Sequence, residues 1–102
     1  MKILYKKPGE APEIREVEND LKPLQDLVGG YIETVKVGDV VIICNEEGKL
    51  KGLPINFLAV NANGYIDAIV GPAIFCREKG IEFTDIKDED IEAIENCMGW
   101  RC

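Results

Sequence analysis

The chain has 102 residues, 46% of them hydrophobic and 30% charged, with 12 basic side chains against 19 acidic ones and no histidine. That length makes one domain, with a core that buries roughly 64% of the surface the unfolded chain exposes. Without histidine there is no Ser-His or Cys-His catalytic pair and no His-ligated metal, and a formal charge of -7 argues against a broad basic face for nucleic acid or anionic lipid.

The apolar fraction is too high for a disordered chain, and the longest apolar run falls far short of the ~20 residues that span a bilayer. Met1 leads into Lys2, Lys6 and Lys7 with no apolar signal segment behind them, so a soluble, cytoplasmic domain is expected. Charge is unevenly placed. Residues 1–80 balance to -2, whereas residues 81–102 carry 2 basic and 7 acidic side chains, a balance of -5.

In chain order, Lys2 to Tyr5 alternates polar with apolar and can pair with Glu13 to Val17 across the Pro8–Pro12 turn, as a charged edge hairpin. Asn19 and Asp20 offer N-cap oxygens, and Leu21, Leu24, Leu27 and Val28 recur at helical spacing until Gly29-Gly30 stops the helix. Tyr31 to Val37 is β-branched and aromatic, Gly38-Asp39 breaks it, and Val40 to Cys44 is apolar on both faces, which predicts a central strand covered twice.

Asn45 to Gly48 is a turn, Lys49-Leu50-Lys51 a short returning strand, and Leu53 to Asn56 an irregular connection imposed by Pro54. Asn56 to Val60 fits a helical turn or a strand, and Asn61 to Gly64 is a turn. Tyr65 to Cys76 reads as one long strand bent at Gly71-Pro72, and Ile81 to Phe83 as a last short strand. Asp88-Glu89-Asp90 opens a final helix whose stripe is Ile91, Ile94, Cys97 and Met98, with Gly99 closing it. The expected architecture is α+β: residues 1–102 as a single domain, one mixed or antiparallel sheet of about five strands, and two helices.

Few of the chemistry-bearing residue types are arranged for chemistry. Cys44 and Cys76 end apolar strands and read as buried packing groups, while Cys97 and Cys102 are too far apart for a zinc pair and Cys102 is the expected exposed thiol. Neither a catalytic residue, a metal site nor a cofactor is expected; there is no phosphate-binding glycine loop and no calcium-binding loop. The most particular stretch is Cys44 to Asn56, which sets two amides, two lysines and two glycines beside the most buried strand. Such groups can orient a small polar molecule, or Asn45 and Asn56 can simply bond local backbone.

The segments Gly29-Gly30-Tyr31-Ile32-Glu33, Ile43-Cys44-Asn45-Glu46-Glu47-Gly48-Lys49-Leu50 and Gly52-Leu53-Pro54-Ile55-Asn56 resemble an uncharacterised family of small bacterial proteins. The likeness continues through Tyr65 to Ile74, Phe83 and the acidic helix at Ile91, so it spans nearly the whole chain. Lys87 and Phe57 depart from it, standing where a hydroxyl and a basic side chain are common. The resemblance implies no catalytic residue and no ligand. It does imply a phage, plasmid or integrated-element context.

Two function classes follow. One is a non-enzymatic binder that sequesters a small nucleotide-type signal to counter host defence, with Asn45, Lys49, Lys51, Asn56 and Arg77 as contacts and a pocket between subunits of a homo-oligomer. The other is an acidic inhibitor of a host defence enzyme, presenting Glu92 and Glu95 as a mimic of nucleic-acid charge. An enzyme is disfavoured, since Asp, Glu, Cys, Lys and Tyr supply no recognisable acid-base pair. Direct binding of nucleic acid or of membrane is not expected.

Overall fold

Side-chain alternation on two central strands decides the layering. In the computed structural model, which describes residues 1–60, 64 and 66–97, β4 (Val40–Asn45) sends Val41 and Ile43 to one face and Ile42 and Cys44 to the other. β7 (Ala73–Lys79) divides in the same way, with Ile74 and Cys76 opposite Ala73 and Phe75. A strand apolar on both faces needs a cover on each side, and the rest of the chain supplies two.

The main sheet runs β2 (Glu13–Glu16), β1 (Lys2–Lys6), β7, β4, β3 (Ile32–Val37), with β8 (Glu82–Thr84) also paired to β7. Every strand pairing among the described residues is antiparallel. One face is covered by α1 (Leu21–Val28), whose Leu24 and Val28 pack on Ile3, Tyr5, Val41, Ile43 and Ile74. The Tyr5 hydroxyl donates to the Leu27 carbonyl at 2.8 Å and fixes the helix against the sheet. Gly29 then takes φ 82 and its N–H returns to the Gln25 carbonyl, which ends the helix where the glycine pair predicts. Its start differs from expectation. Asp20 makes no side-chain cap bond, and the Asn19 amide donates instead to the Phe83 carbonyl at 2.7 Å.

The other face is covered by the hairpin of β5 (Ile55–Val60) and β6 (Ile66–Val70) and by α2 (Asp88–Cys97), which inserts Ile91 and Ile94. Phe57 stacks on Phe75 with ring centroids 5.2 Å apart. Burying one such ring contributes about 1.5–3 kcal/mol. Among the described residues the structure is therefore α+β with two helices, and the main sheet has six strands, the remaining two forming a separate pair.

Three local expectations are corrected. The stretch expected as one bent strand from Tyr65 to Cys76 is, in its described part, two strands: Gly71, at φ 72, and Pro72, which has no N–H, break the ladder and pass the chain from the small sheet to the large one. Lys49 to Lys51 is not a strand. Its turn closes on itself through Lys51 N–H to Glu47 carbonyl (2.9 Å), Gly52 to Lys49 (3.2 Å) and Leu53 to Gly48 (3.0 Å), which uses the donors a ladder would need. Ile55 and Asn56 already belong to β5, so the irregular connection ends before them. The expectations for Asn61 to Asn63, the Cys97 and Met98 side chains, Gly99 and Cys102 lie outside the described residues.

Candidate functional site

The stretch from Asn45 to Asn56 proves to be a knot of short-range and long-range bonds. Asn45 is buried, its side-chain Nδ2 donates to the Val28 carbonyl at 3.2 Å, and its side-chain Oδ1 accepts the Glu47 N–H at 2.8 Å. It thereby ties the end of α1 to the turn after β4. Asn56 does the same at the other end. The register of β5 on β6 slips between Ile55 and Phe57, and this bulge leaves both Asn56 and Phe57 buried. The Asn56 amide donates to the carbonyls of Lys6 (2.8 Å) and Gly71 (2.9 Å), and its oxygen accepts from Lys6 Nζ at 2.6 Å.

Lys6 is 1% exposed. It alternates with Leu4 on β1 and so points under the hairpin, where its ammonium also reaches the Lys7 carbonyl at 3.4 Å. The glycines in this knot make room. A Cβ on Gly48 would stand 2.7 Å from Val70 Cγ2, and one on Gly71 would stand 2.7 Å from Leu53 Cδ1. The Gly71 N–H donates to the Pro54 carbonyl at 2.8 Å.

Of the sequence-predicted contacts, then, Asn45 and Asn56 are occupied inside the fold. Lys49 lies on the surface with its ammonium 2.9 Å from Asp67, beside a cavity of about 120 Å³ that Cys44 and Glu33 also line. Arg77 is not near these residues. Its neighbour Cys76 pairs with Val41, which puts the Arg77 backbone five residues along the ladder from Asn45, about 16 Å away at the opposite end of the strand. There it binds Asp90 through two bonds of 2.7 Å, with Glu89 at 3.7 Å and Asp39 at 3.8 Å. The bond to Arg77, aided by the Lys87 N–H, holds the Asp90 carboxyl below its usual value, and the Arg77 value is raised in return.

Lys51 alone among the five lines a groove of about 450 Å³ on the α1 side of the molecule. Its floor is Gly29-Gly30, one wall is α1 with Lys22, Gln25 and Asp26, and the other is the turn carrying Glu47 and Lys51, with Tyr31 at its edge. The Asn45–Val28 bond is what holds these two walls together. Gly30 has no positive φ, so it is needed for space. A Cβ there would meet the Asn45 amide nitrogen at 3.0 Å and Lys51 Nζ at 3.5 Å.

Among the described residues, Lys22 is paired with Asp26 at 2.5 Å, but the Gln25 amide, the Glu47 carboxylate, the Lys51 ammonium and the Tyr31 hydroxyl have no hydrogen-bond or ion-pair partner. Tyr31 is 65% exposed. Sequence reasoning missed Gln25, Tyr31 and Glu47 as candidates; their one signal was that they flank the Gly29-Gly30 stop and the turn after β4.

The two described thiols, Cys44 and Cys76, are unsuited to nucleophilic work. Burial first, then Glu33 and Asp67, pushes Cys44 up to about 11, and burial first, then Glu78, pushes Cys76 up to about 12. No group of three or more metal-binding side chains is assembled among the described residues, and no described helix is long and apolar enough to cross a membrane.

A small antiparallel α+β domain with a polar surface groove is the class these features define. The family model described as a domain of unknown function, DUF3846, matches residues 1–98, and the chain belongs to that family. No curated protein and no solved structure matches the chain significantly.

Proposed function

We propose that the protein is a non-enzymatic binder of a small nucleotide-type molecule, held in the groove between α1 and the turn carrying Glu47 and Lys51. The observation that carries this reading is the pairing pattern. The polar side chains of the Asn45–Asn56 knot that are buried are bonded, whereas an ammonium, an amide, a carboxylate and an exposed aromatic ring facing the adjacent groove are unpartnered. Such groups serve a ligand: Tyr31 offers a stacking face, Lys51 meets phosphate, and Gln25 and Glu47 meet a polar base edge. The volume, about 450 Å³, is in the range of small-molecule sites.

The resemblance to proteins of phages and other mobile elements extends the proposal to a role: sequestering a nucleotide signal of host defence, by a homo-oligomer acting in the cytoplasm. The acidic-inhibitor alternative is weaker, because Asp88 is paired with Lys2 and Glu89 faces Arg77. That leaves Glu92 and Glu95, a small patch for a charge mimic.

Calorimetric titration of the protein with a panel of nucleoside monophosphates tests the reading. Saturable binding that Lys51→Ala and Tyr31→Ala each weaken, with Lys79→Ala as the control outside the groove, is expected. Binding indifferent to both groove variants, or none across the panel, overturns it.

A further inference from the structure

The groove's own charge inventory narrows its ligand, and this inference rests on the binding reading above. On the α1 wall Lys22 and Asp26 cancel as an ion pair, which leaves one unpaired cation, Lys51, against one unpaired carboxylate, Glu47, among the described residues. The end of α1 that borders the groove adds partial negative charge, and no basic residue in its last turn offsets this. The carbonyls of Leu27 and Val28 are already taken by the Tyr5 hydroxyl and the Asn45 amide, so the helix end acts here through its dipole.

A ligand suited to this site presents one anionic group to Lys51 and hydrogen-bond donors to Glu47. A carboxylate only accepts, and it is best satisfied by two adjacent N–H groups. Among the common bases, guanine alone offers that pair, from its ring N1–H and its exocyclic amine. Adenine and cytosine place a ring acceptor next to their amine, and uracil flanks its single N–H with carbonyls, so each sets a lone pair against the carboxylate. A chain of phosphates would bring several negative charges to one ammonium beside Asp26, Glu47 and a helix C-terminus.

We infer that the groove selects a guanine base bearing a single phosphate, with Glu47 reading the N1–H and amine edge, Tyr31 stacking the ring and Lys51 holding the phosphate. Gln25 contributes its amide to the remaining polar atoms of the base.

Competition calorimetry with the intact protein tests this, using guanosine, adenosine, cytidine and uridine monophosphates and then guanosine di- and triphosphate. Guanosine monophosphate is expected to bind at least about tenfold more tightly than the other three. The di- and triphosphate are expected to bind no more tightly than the monophosphate. Glu47→Gln, which keeps the shape, should remove the guanine preference without lowering the melting temperature. Equal binding of all four bases, still dependent on Lys51, would overturn the selectivity and leave the binding site standing. Tighter binding of the triphosphate would overturn the single-phosphate assignment. Absence of binding by every nucleotide would overturn both readings together.

Discussion

The knot from Asn45 to Asn56 and the groove beside it are built from the same residue types, amides, lysines, carboxylates and glycines, yet they differ in what those groups do. In the knot, Asn56 makes three bonds and Asn45 two through their side chains. In the groove, Gln25, Glu47 and Lys51 make none through their side chains among the described residues. Removing a paired group orphans its partner and is expensive; removing an unpaired surface group is nearly free. A polar cluster is therefore read by its pairing before its composition.

Several substitutions sharpen this contrast. The largest effect belongs to Asn56→Ala, which leaves the buried Lys6 ammonium short of an acceptor and two buried carbonyls short of a donor. It should lower the unfolding free energy by about 3 kcal/mol in denaturant titration. A loss near zero would move Asn56 out of the knot and back among the ligand contacts. Gly48→Ala comes next, at about 2 kcal/mol, because its Cβ meets Val70 Cγ2 at 2.7 Å and the Asn45 carbonyl at 3.3 Å.

Acid probes the far end of the sheet. Asp90 titrates below its ordinary 3.8 in the folded chain, so the stability from its bond to Arg77 is complete above about pH 4 and is lost as pH falls through the lowered value. Asp90→Asn should be less stable at pH 7 and show a flatter acid limb in thermal melts; an unchanged limb would remove the pair from the account.

The buried thiols act with the opposite sign. Their folded values are raised, so stability that is complete below the free-thiol value near 9 is lost as pH rises through about 11 for Cys44 and about 12 for Cys76. At pH 8, mass-resolved alkylation should leave both unmodified until denaturant is added. Prompt labelling of either in the native protein would contradict its burial.

Much of the fold was legible because its signals are local. The β1–β2 hairpin, α1 with its Gly29 stop, the doubly buried β4 and the Ile91 and Ile94 stripe each depend on spacing within one element. The division of residues 66–79 between two sheets was not. It depends on the Asn45–Pro54 turn closing against Val70 and Gly71, a meeting of segments some twenty residues apart that spacing does not encode.

The same limit governed the candidate site. Asn45 and Asn56 were legible as special, but their partners, Val28 and Lys6, lie 17 and 50 residues away, and only those partners show that the amides are occupied. Arg77 offered a free cation in the sequence, and its carboxylate, Asp90, became visible only when α2 docked beside β7. One signal was overlooked: Lys6 shares its strand parity with Leu4, which marks a cation aimed at an apolar layer.

The central claim is that the groove, and not the knot or the Arg77 end of the sheet, receives the ligand. Two-dimensional NMR of the isotope-labelled protein titrated with guanosine monophosphate tests it most directly. Saturable shifts are predicted at the amides of Gln25, Gly29, Gly30, Tyr31, Glu47 and Lys51, with Lys6, Asn56 and Arg77 unmoved. Shifts centred on Asn56 or Arg77, or no saturable shifts anywhere, would contradict it.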